Sequence, residues 1–172
     1  MYVDESKSRA YTMVGVLVPP GRALEARFMM RSFLLAGQAR VHFTSESAAR
    51  REQILQSIAE LRPMGLVVTS HKRGGDAEAR RRCLGELTAW AIEMGVSRLV
   101  LELDDSSLAL DKHLIFETSR TSGAFESFSY GWQKPHQEPI LWMADALAWS
   151  WAHDGPWRQN ALRAFDIAVR QV

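Results

Sequence analysis

Met1-Tyr-Val-Asp-Glu-Ser6 and Tyr11-Thr-Met-Val-Gly-Val-Leu-Val18 are the two segments that decide the fold of this chain. The first segment alternates polar and apolar residues, and the second is a nearly continuous apolar run that ends at Pro19-Pro20-Gly21. Both patterns predict β-strands, and the second strand should be buried. The short connection Lys7-Ser8-Arg9 predicts a tight turn between them. The chain is therefore expected to form a β-hairpin here.

The rest of the sequence alternates between helix-like and strand-like segments. Helical periodicity with capping residues favours helices, and short apolar runs favour strands. The predicted helices cover residues 22–36, from a cap at Ser45 or Ser47 to 62, 76–94, 108–119, 139–153 and 157–169, and the further predicted strands cover 66–71, 98–104 and 124–130. This order predicts an α/β fold with a mixed five-stranded sheet flanked by helices. A helical insertion lies between strands two and three.

Length and composition are typical of one soluble globular domain over residues 1–172. The chain has 47% hydrophobic and 24% charged residues, which are ordinary shares for such a domain. Its longest apolar stretch, residues 139–152, is too short to span a bilayer, so we expect no membrane insertion. Cys83 is the single cysteine, which excludes an internal disulfide and a cysteine-based zinc site. It favours a reducing, cytoplasmic location.

The charges are distributed unevenly along the chain. Residues 1–82 carry 14 Lys and Arg against 8 Asp and Glu, whereas residues 83–172 carry 7 against 12, although the net charge is only +1. A basic half beside an acidic centre suits a metal-dependent enzyme that acts on a phosphate polymer. The same asymmetry is common by chance in proteins of this size.

Asp145 stands out because it is the one carboxylate in an otherwise apolar helix. Residues three and four positions away share its helix face, and these are Leu141, Trp142, Ala148 and Trp149. That face should pack on the core, where an unpaired carboxylate is strongly unfavourable. Asp145 should therefore either pair with a buried cation, for which Arg163 and Arg98 are candidates, or meet other carboxylates around a metal ion.

Other acids lie on the predicted strands. Alternation places Asp4 on the same face of the first strand as Tyr2 and Ser6, and places Glu102 and Asp104 together on one face of strand 98–104. Acids two positions apart on a strand are separated by about 6–7 Å at the backbone, so either of the latter two could reach the same ion. More ordinary roles are a surface acid for Asp4 and a turn cap for Glu102 or Asp104.

Two of these motifs together resemble a known family. Tyr2-Val-Asp-Glu-Ser6 and Glu138-Pro-Ile-Leu-Trp-Met-Ala-Asp145 are similar to the bacterial and phage family called domain of unknown function 3800. That family opens with an Asp-Glu-Ser strand and closes with a leucine-rich helix bearing Ala-Asp. The element order, with acids on strand one, strand four and the last core helix, looks like the ribonuclease H-like fold. The resemblance covers almost the whole chain.

The resemblance implies a role for several positions. Asp4 matches the first-strand acid, Asp145 matches the last-helix acid, and Glu102 is the best match for the middle acid, with Asp104 close behind. His42 resembles the family's histidine before a helix, and it would serve as an auxiliary group such as a proton shuttle. Arg50 matches the basic residue that follows this histidine in the family. Two positions depart from the family pattern: Lys7 stands where a glycine is common, and the fourth acid has no clear match, with Glu86 as a guess.

The resemblance also implies a reaction. In this fold type, carboxylates hold two Mg²⁺ or Mn²⁺ ions about 3.5–4 Å apart, and oxygen ligands suit these hard cations. We therefore expect a divalent-metal-dependent nuclease that hydrolyses phosphodiester bonds in DNA or RNA, with Asp4, Glu102 or Asp104, and Asp145 as ligands. One alternative is a catalytically inactive module of the same fold that binds nucleic acid or a protein partner. Another is a small-molecule phosphohydrolase that uses the same carboxylates.

One cluster of basic residues has a simpler interpretation. Arg80-Arg-Arg82 lies within the predicted helix 76–94. A run of charges on a helix is usually solvated, so these three residues are expected on the protein surface.

Overall fold

The computed structural model describes residues 1–8 and 10–172. The strands and helices are β1 (Tyr2–Ser6), β2 (Tyr11–Leu17), α1 (Ala23–Ser32), α2 (Ala48–Leu61), β3 (Met64–Ser70), α3 (Asp76–Glu93), β4 (Arg98–Glu102), α4 (Leu108–Thr121), β5 (Ser129–Gln133), α5 (Ile140–Ala152), α6 (Pro156–Ala164) and β6 (Asp166–Gln171). A single 3₁₀ turn, Phe43–Ser45, precedes α2. Arg9, part of the predicted connection Lys7-Ser8-Arg9, lies outside the described residues.

The strands form one mixed sheet in the order β5-β4-β1-β2-β3-β6. The first three strands are antiparallel, with Asp4 opposite Val14 and Val14 opposite Val67. The outer strands β4, β5 and β6 each run parallel to their inner neighbour. The fold is therefore α/β, and two helices, α1 and α2, lie between the second and third strands as the sequence predicted.

The sixth strand corrects the prediction of five. The predicted helix 157–169 ends at Ala164, and Phe165 is already extended with φ −131° and ψ 145°. Residues Asp166–Gln171 then form β6, which pairs in parallel with β3 from Met64 to Thr69. Ile167 and Val169 alternate with Ala168 and Arg170, and this period of two is typical of a strand. The fifth strand also begins later than predicted, at Ser129 rather than 124.

Helices cover both faces of the sheet, and the two faces have separate cores. The face that carries Tyr2, Asp4, Val100 and Glu102 packs against α5, with α1, α2 and α6 around it; we call it the α5 face. The opposite face carries Val3, Glu5, Leu99 and Leu101 and packs against α3 and α4; we call it the α3 face. None of the helices in the described part of the chain is long and apolar enough to cross a membrane.

The start of α5 is fixed by a buried acid. Glu138 is 5% exposed, and its Oε1 accepts a hydrogen bond of 3.1 Å from the backbone N–H of Ile140. The Arg27 guanidinium binds the Glu138 carboxylate through Nε and Nη2, and Nη2 also donates to the Tyr2 hydroxyl at 3.0 Å. One arginine thus ties α1, β1 and α5 together. This contact sets where the next residues of α5 lie over the sheet.

Candidate carboxylate site

Asp4 and Glu102 lie side by side near the carboxyl ends of two parallel strands. The register pairs Tyr2 with Val100 and Val3 with Leu101, so the next residues, Asp4 and Glu102, follow on the α5 face. Neighbouring strands are about 4.8 Å apart, which brings the two side chains within reach of each other. The alternation predicted from the sequence therefore holds in the structure for both acids.

Asp145 reaches this edge from α5. Its Oδ2 accepts a hydrogen bond of 2.8 Å from the backbone N–H of Phe43 and lies 3.1 Å from Nδ1 of His42. Its side chain is 19% exposed. The alternative partners considered from the sequence, Arg163 and Arg98, do not bind it. The carboxylate is instead held by His42 and by the first residue of the 3₁₀ turn, Phe43.

The three carboxylates repel one another electrostatically. Burial raises the pKa of Asp4 well above its usual range, and the charges of Asp145 and Glu102 raise it further. A backbone N–H bond from Glu5 to Asp4 Oδ1, at 2.8 Å, opposes this rise only in part. Burial also raises the pKa of Glu102, where the Arg40 guanidinium works against the rise and Asp145 adds to it. The charge of Asp145 thus acts on both Asp4 and Glu102 across the sheet–helix interface.

The segment from Arg40 to Phe43 provides the nearest positive and donor groups. Arg40 Nη1 lies 3.3 Å from Glu102 Oε1, and the two side chains are 36% and 33% exposed. His42 and the Phe43 N–H hold Asp145, as described above. Arg51 from α2 supports this segment by donating to the carbonyls of Phe43 and Thr44, at 2.7 Å each. Its guanidinium also stacks over Trp149 of α5, 4.1 Å from the ring centroid.

His42 is anchored on one side only. Nδ1 faces Asp145, whereas Nε2 makes no hydrogen bond within the described residues, and the side chain is 43% exposed. A histidine held at one nitrogen by a carboxylate has a fixed ring orientation, and its other nitrogen can exchange protons with solvent or a ligand. The nearby Arg50 binds Glu46 and the carbonyl of Phe33, so it stabilises the segment rather than facing the carboxylates.

Asp104 is placed differently from the other predicted acids. β4 ends at Glu102, and Asp104 lies in the following turn. Its Oδ1 accepts hydrogen bonds from the hydroxyl of Ser106 at 2.6 Å and from the Ser106 N–H at 2.9 Å, and these bonds lower its pKa. Lys7 and Arg80 are the charged groups that lower this pKa further. Asp104 therefore caps the turn before α4, which was the ordinary role considered for it.

An open cleft of about 440 Å³ lies at this edge of the sheet. It is lined by residues from both faces, among them Asp4, Glu5, Arg80, Glu102 and Asp104. Cavities of this size are typical of small-ligand sites. Asp4 and Glu102 of the α5 face line this cleft, whereas Asp145 does not.

Arg80 corrects the prediction of a solvated Arg80-Arg-Arg82 cluster. Its side chain is 8% exposed and forms a double ion pair with Asp111, with Nε–Oδ1 and Nη2–Oδ2 distances of 2.7 Å each. Nη1 also donates to Glu5 and, at 3.0 Å, to the Tyr11 hydroxyl, which in turn donates to Glu5. The sequence held little signal for this network, because its members come from four separate elements.

The residue types at the carboxylate site suit a divalent cation, but their side chains are not arranged to coordinate one. Carboxylate oxygens are the donors that Mg²⁺ and Mn²⁺ prefer, and Gln133 adds a buried Oε1 with no hydrogen-bond partner within the described residues. No group of three or more His, Cys, Asp or Glu in residues 1–8 and 10–172 is arranged to hold a metal. Glu102 and Asp145 are instead turned towards Arg40 and His42.

Comparison with known proteins adds no assignment. No family model matches this chain, no curated protein matches it, and no solved structure matches it. The resemblance to the domain of unknown function 3800 family and to the ribonuclease H-like fold therefore stays a prediction that rests on the two motifs and the order of the elements.

Proposed function

We propose that this chain is a divalent-metal-dependent nuclease of the ribonuclease H-like type, which hydrolyses phosphodiester bonds in DNA or RNA. The observation that carries the proposal is the convergence of Asp4, Glu102 and Asp145 from three elements. They lie close enough for the charges of Asp145 and Glu102 to raise the pKa of Asp4 beyond the effect of its burial. Like charges are gathered at one place at a cost in stability unless a cation neutralises them. A strongly shifted carboxyl in a cleft is a typical sign of a functional site.

The strand arrangement supports the same proposal. The resemblance implies that the first strand lies beside the strand that carries the middle acid, and β1 indeed pairs in parallel with β4. It also implies that the last core helix brings its acid to the same edge, where Asp145 is found. Neither motif includes Glu102 or specifies which strands are neighbours, so the pairing of β1 with β4 supports the proposal independently of the motifs.

The residues would divide the work as follows. Asp4, Glu102 and Asp145 would hold Mg²⁺ or Mn²⁺, which supplies an activated water and charge stabilisation for the leaving oxygen. His42, fixed through Nδ1, would exchange a proton at Nε2. Arg40, whose side chain is partly exposed, would meet the phosphate charge. The cleft would admit the scissile segment to Asp4 and Glu102, which line it.

The proposal is tested by cleavage assays on single-stranded DNA, RNA and DNA–RNA hybrid with Mn²⁺ at neutral pH. We expect cleavage by the unaltered protein and none by Asp4→Asn, because a central ligand is lost. The matched control is Asp166→Asn, which makes the same change at an exposed acid that does not line the cleft and should cleave normally. Absence of metal-dependent cleavage on every substrate would contradict the proposal.

A second candidate is a catalytically inactive binding module of the same fold. It is favoured by the partners that Glu102 and Asp145 already have, since Arg40 and His42 satisfy both carboxylates without an ion. Such a module would bind nucleic acid through its basic residues, with affinity that falls steeply as salt rises. Salt-dependent binding that is unchanged in Asp4→Asn, together with no cleavage, would select this function.

A further inference from the structure

Gln133 presents an unexplained polar atom at the edge where the carboxylates lie. Its side-chain oxygen, Oε1, is buried and has no hydrogen-bond donor among the described residues. Leaving a buried acceptor unpaired destabilises a folded protein, so native proteins usually provide a partner. Three other atoms share this condition, on Thr88, Trp132 and Ser150. Only Gln133 belongs to the row of residues that contains the acids.

The register of the sheet defines that row. Gln133 pairs with Glu102 across β4 and β5, as Val100 pairs with Gly131. Asp4 follows Val3 on β1, which is paired with Leu101, so Asp4 lies across from Glu102. Residues that are in register on parallel strands point to the same face. Asp4, Glu102 and Gln133 therefore form one polar row on the α5 face, at the carboxyl ends of three adjacent strands.

We propose that the Gln133 side-chain oxygen is a further ligand of the divalent cation, beside Glu102. This inference rests on the proposed function and extends its ligand set by a residue that the sequence analysis did not consider. The row contains no cysteine and no histidine, so the metal ligands that it offers are oxygens alone. Oxygen-only sites are the kind that select Mg²⁺ and Mn²⁺ over softer metals.

A neutral amide suits this position better than a fourth acid would. The three carboxylates already disfavour one another's charge, and another carboxylate would add to that repulsion. An amide oxygen coordinates a hard cation without adding charge. The Gln133 oxygen has no hydrogen-bond partner among the described residues, so a cation beside Glu102 would give it one. Binding of one cation would thus pair the Gln133 oxygen and reduce the repulsion among the carboxylates.

The experiment measures Mn²⁺ binding directly, by electron paramagnetic resonance of free Mn²⁺ and by the rise in melting temperature. Gln133→Leu removes the oxygen and fills the space with an apolar group. It should raise the melting temperature without metal, because no acceptor is left unpaired, and weaken Mn²⁺ binding about tenfold or more. Gln133→Glu should do the reverse, binding Mn²⁺ more tightly and melting lower without metal.

Thr88→Val is the matched control. It also removes a buried hydroxyl oxygen that has no partner, but from α3 on the far side of the sheet. It should change the melting temperature while leaving the Mn²⁺ midpoint as it is. Equal Mn²⁺ midpoints for the unaltered protein, Gln133→Leu and Gln133→Glu would overturn the assignment of Gln133 and leave the proposed function standing. No Mn²⁺ binding by the unaltered protein would overturn both.

Discussion

Two adjacent residues of β1, Asp4 and Glu5, point to opposite faces of the sheet and enter very different charge clusters. On the α3 face, Glu5 shares Arg80 with Asp111, and Tyr11 and Lys7 also bind it. On the α5 face, Asp4 faces two further acids and its pKa rises. The comparison separates two uses of buried charge. A neutralised network holds elements together, whereas an excess of one sign of charge destabilises the folded protein unless a cation binds.

The largest expected effect is the loss of Arg80. Among the described residues, Arg80→Met leaves the fully buried Asp111 without a cation and Glu5 with Lys7 alone. Breaking such a buried pair costs about 3–5 kcal/mol of unfolding free energy. Urea denaturation monitored by circular dichroism measures this loss. Arg81→Met, at the exposed neighbour on the same helix, is the control and should change stability by less than about 0.5 kcal/mol. Equal effects of the two changes would mean that the α3-face network is not structural.

A smaller loss is expected at Tyr11, whose hydroxyl connects Arg80 and Glu5. Tyr11→Phe removes one hydrogen bond to a charged group but leaves Glu5 with Arg80 and Lys7, so the cost should be about 1.5 kcal/mol. Differential scanning calorimetry would measure it. Tyr130→Phe is the control, because the Tyr130 hydroxyl has no hydrogen bond within the described residues, and it should melt like the unaltered protein.

The opposite sign is expected at Asp4. Because folding raises the pKa of this carboxyl, the folded protein binds more protons than the unfolded chain once pH exceeds its ordinary value of 3.8. Stability should therefore fall as pH rises from there through the raised pKa. Asp4→Asn cannot ionise, so without metal it should melt higher than the unaltered protein, by a margin that grows between pH 4 and pH 8. A margin that is constant with pH would contradict this account.

The smallest stability effect is expected at Arg40. Its ion pair with Glu102 is partly exposed, so Arg40→Gln should cost less than about 1 kcal/mol. If Arg40 competes with a cation for Glu102, the same change should lower the Mn²⁺ concentration needed for half-maximal stabilisation. Arg120→Gln, which alters an exposed ion pair on α4, should leave that concentration unchanged. A higher Mn²⁺ requirement in Arg40→Gln would mean that Arg40 does not compete.

The features predicted most reliably from the sequence are those that depend on residue periodicity. Alternation placed Asp4 on the same face of its strand as Tyr2, because consecutive strand residues must point to opposite sides. The position of Asp145 on an apolar helix likewise indicated a buried acid that needs partners. Both predictions depend only on neighbours along the chain, and the structure agrees with each of them.

Contacts between distant segments were the part that could not be predicted. Arg40 binds Glu102, 62 positions away, and the Phe43 N–H binds Asp145, 102 positions away. The local sequence around a charged or extended residue does not indicate which distant residue it will contact. Arg80 was wrongly expected on the surface for the same reason. β6 was missed because Leu162 and Phe165 continue a helical spacing that tertiary pairing with β3 overrides.

The pairing of β6 with β3 has a consequence for how the chain reaches its folded state. Thr69 and Arg170, which bond across this pair, are 101 positions apart, so the sheet is completed only when segments distant in synthesis have met. Until then β3, with its sequence Met-Gly-Leu-Val-Val-Thr-Ser, presents an open apolar edge. Such an edge pairs readily with other chains. A nascent or truncated chain lacking residues 166–171 would therefore be prone to aggregate. By covering this edge, β6 protects the chain from aggregation during biosynthesis.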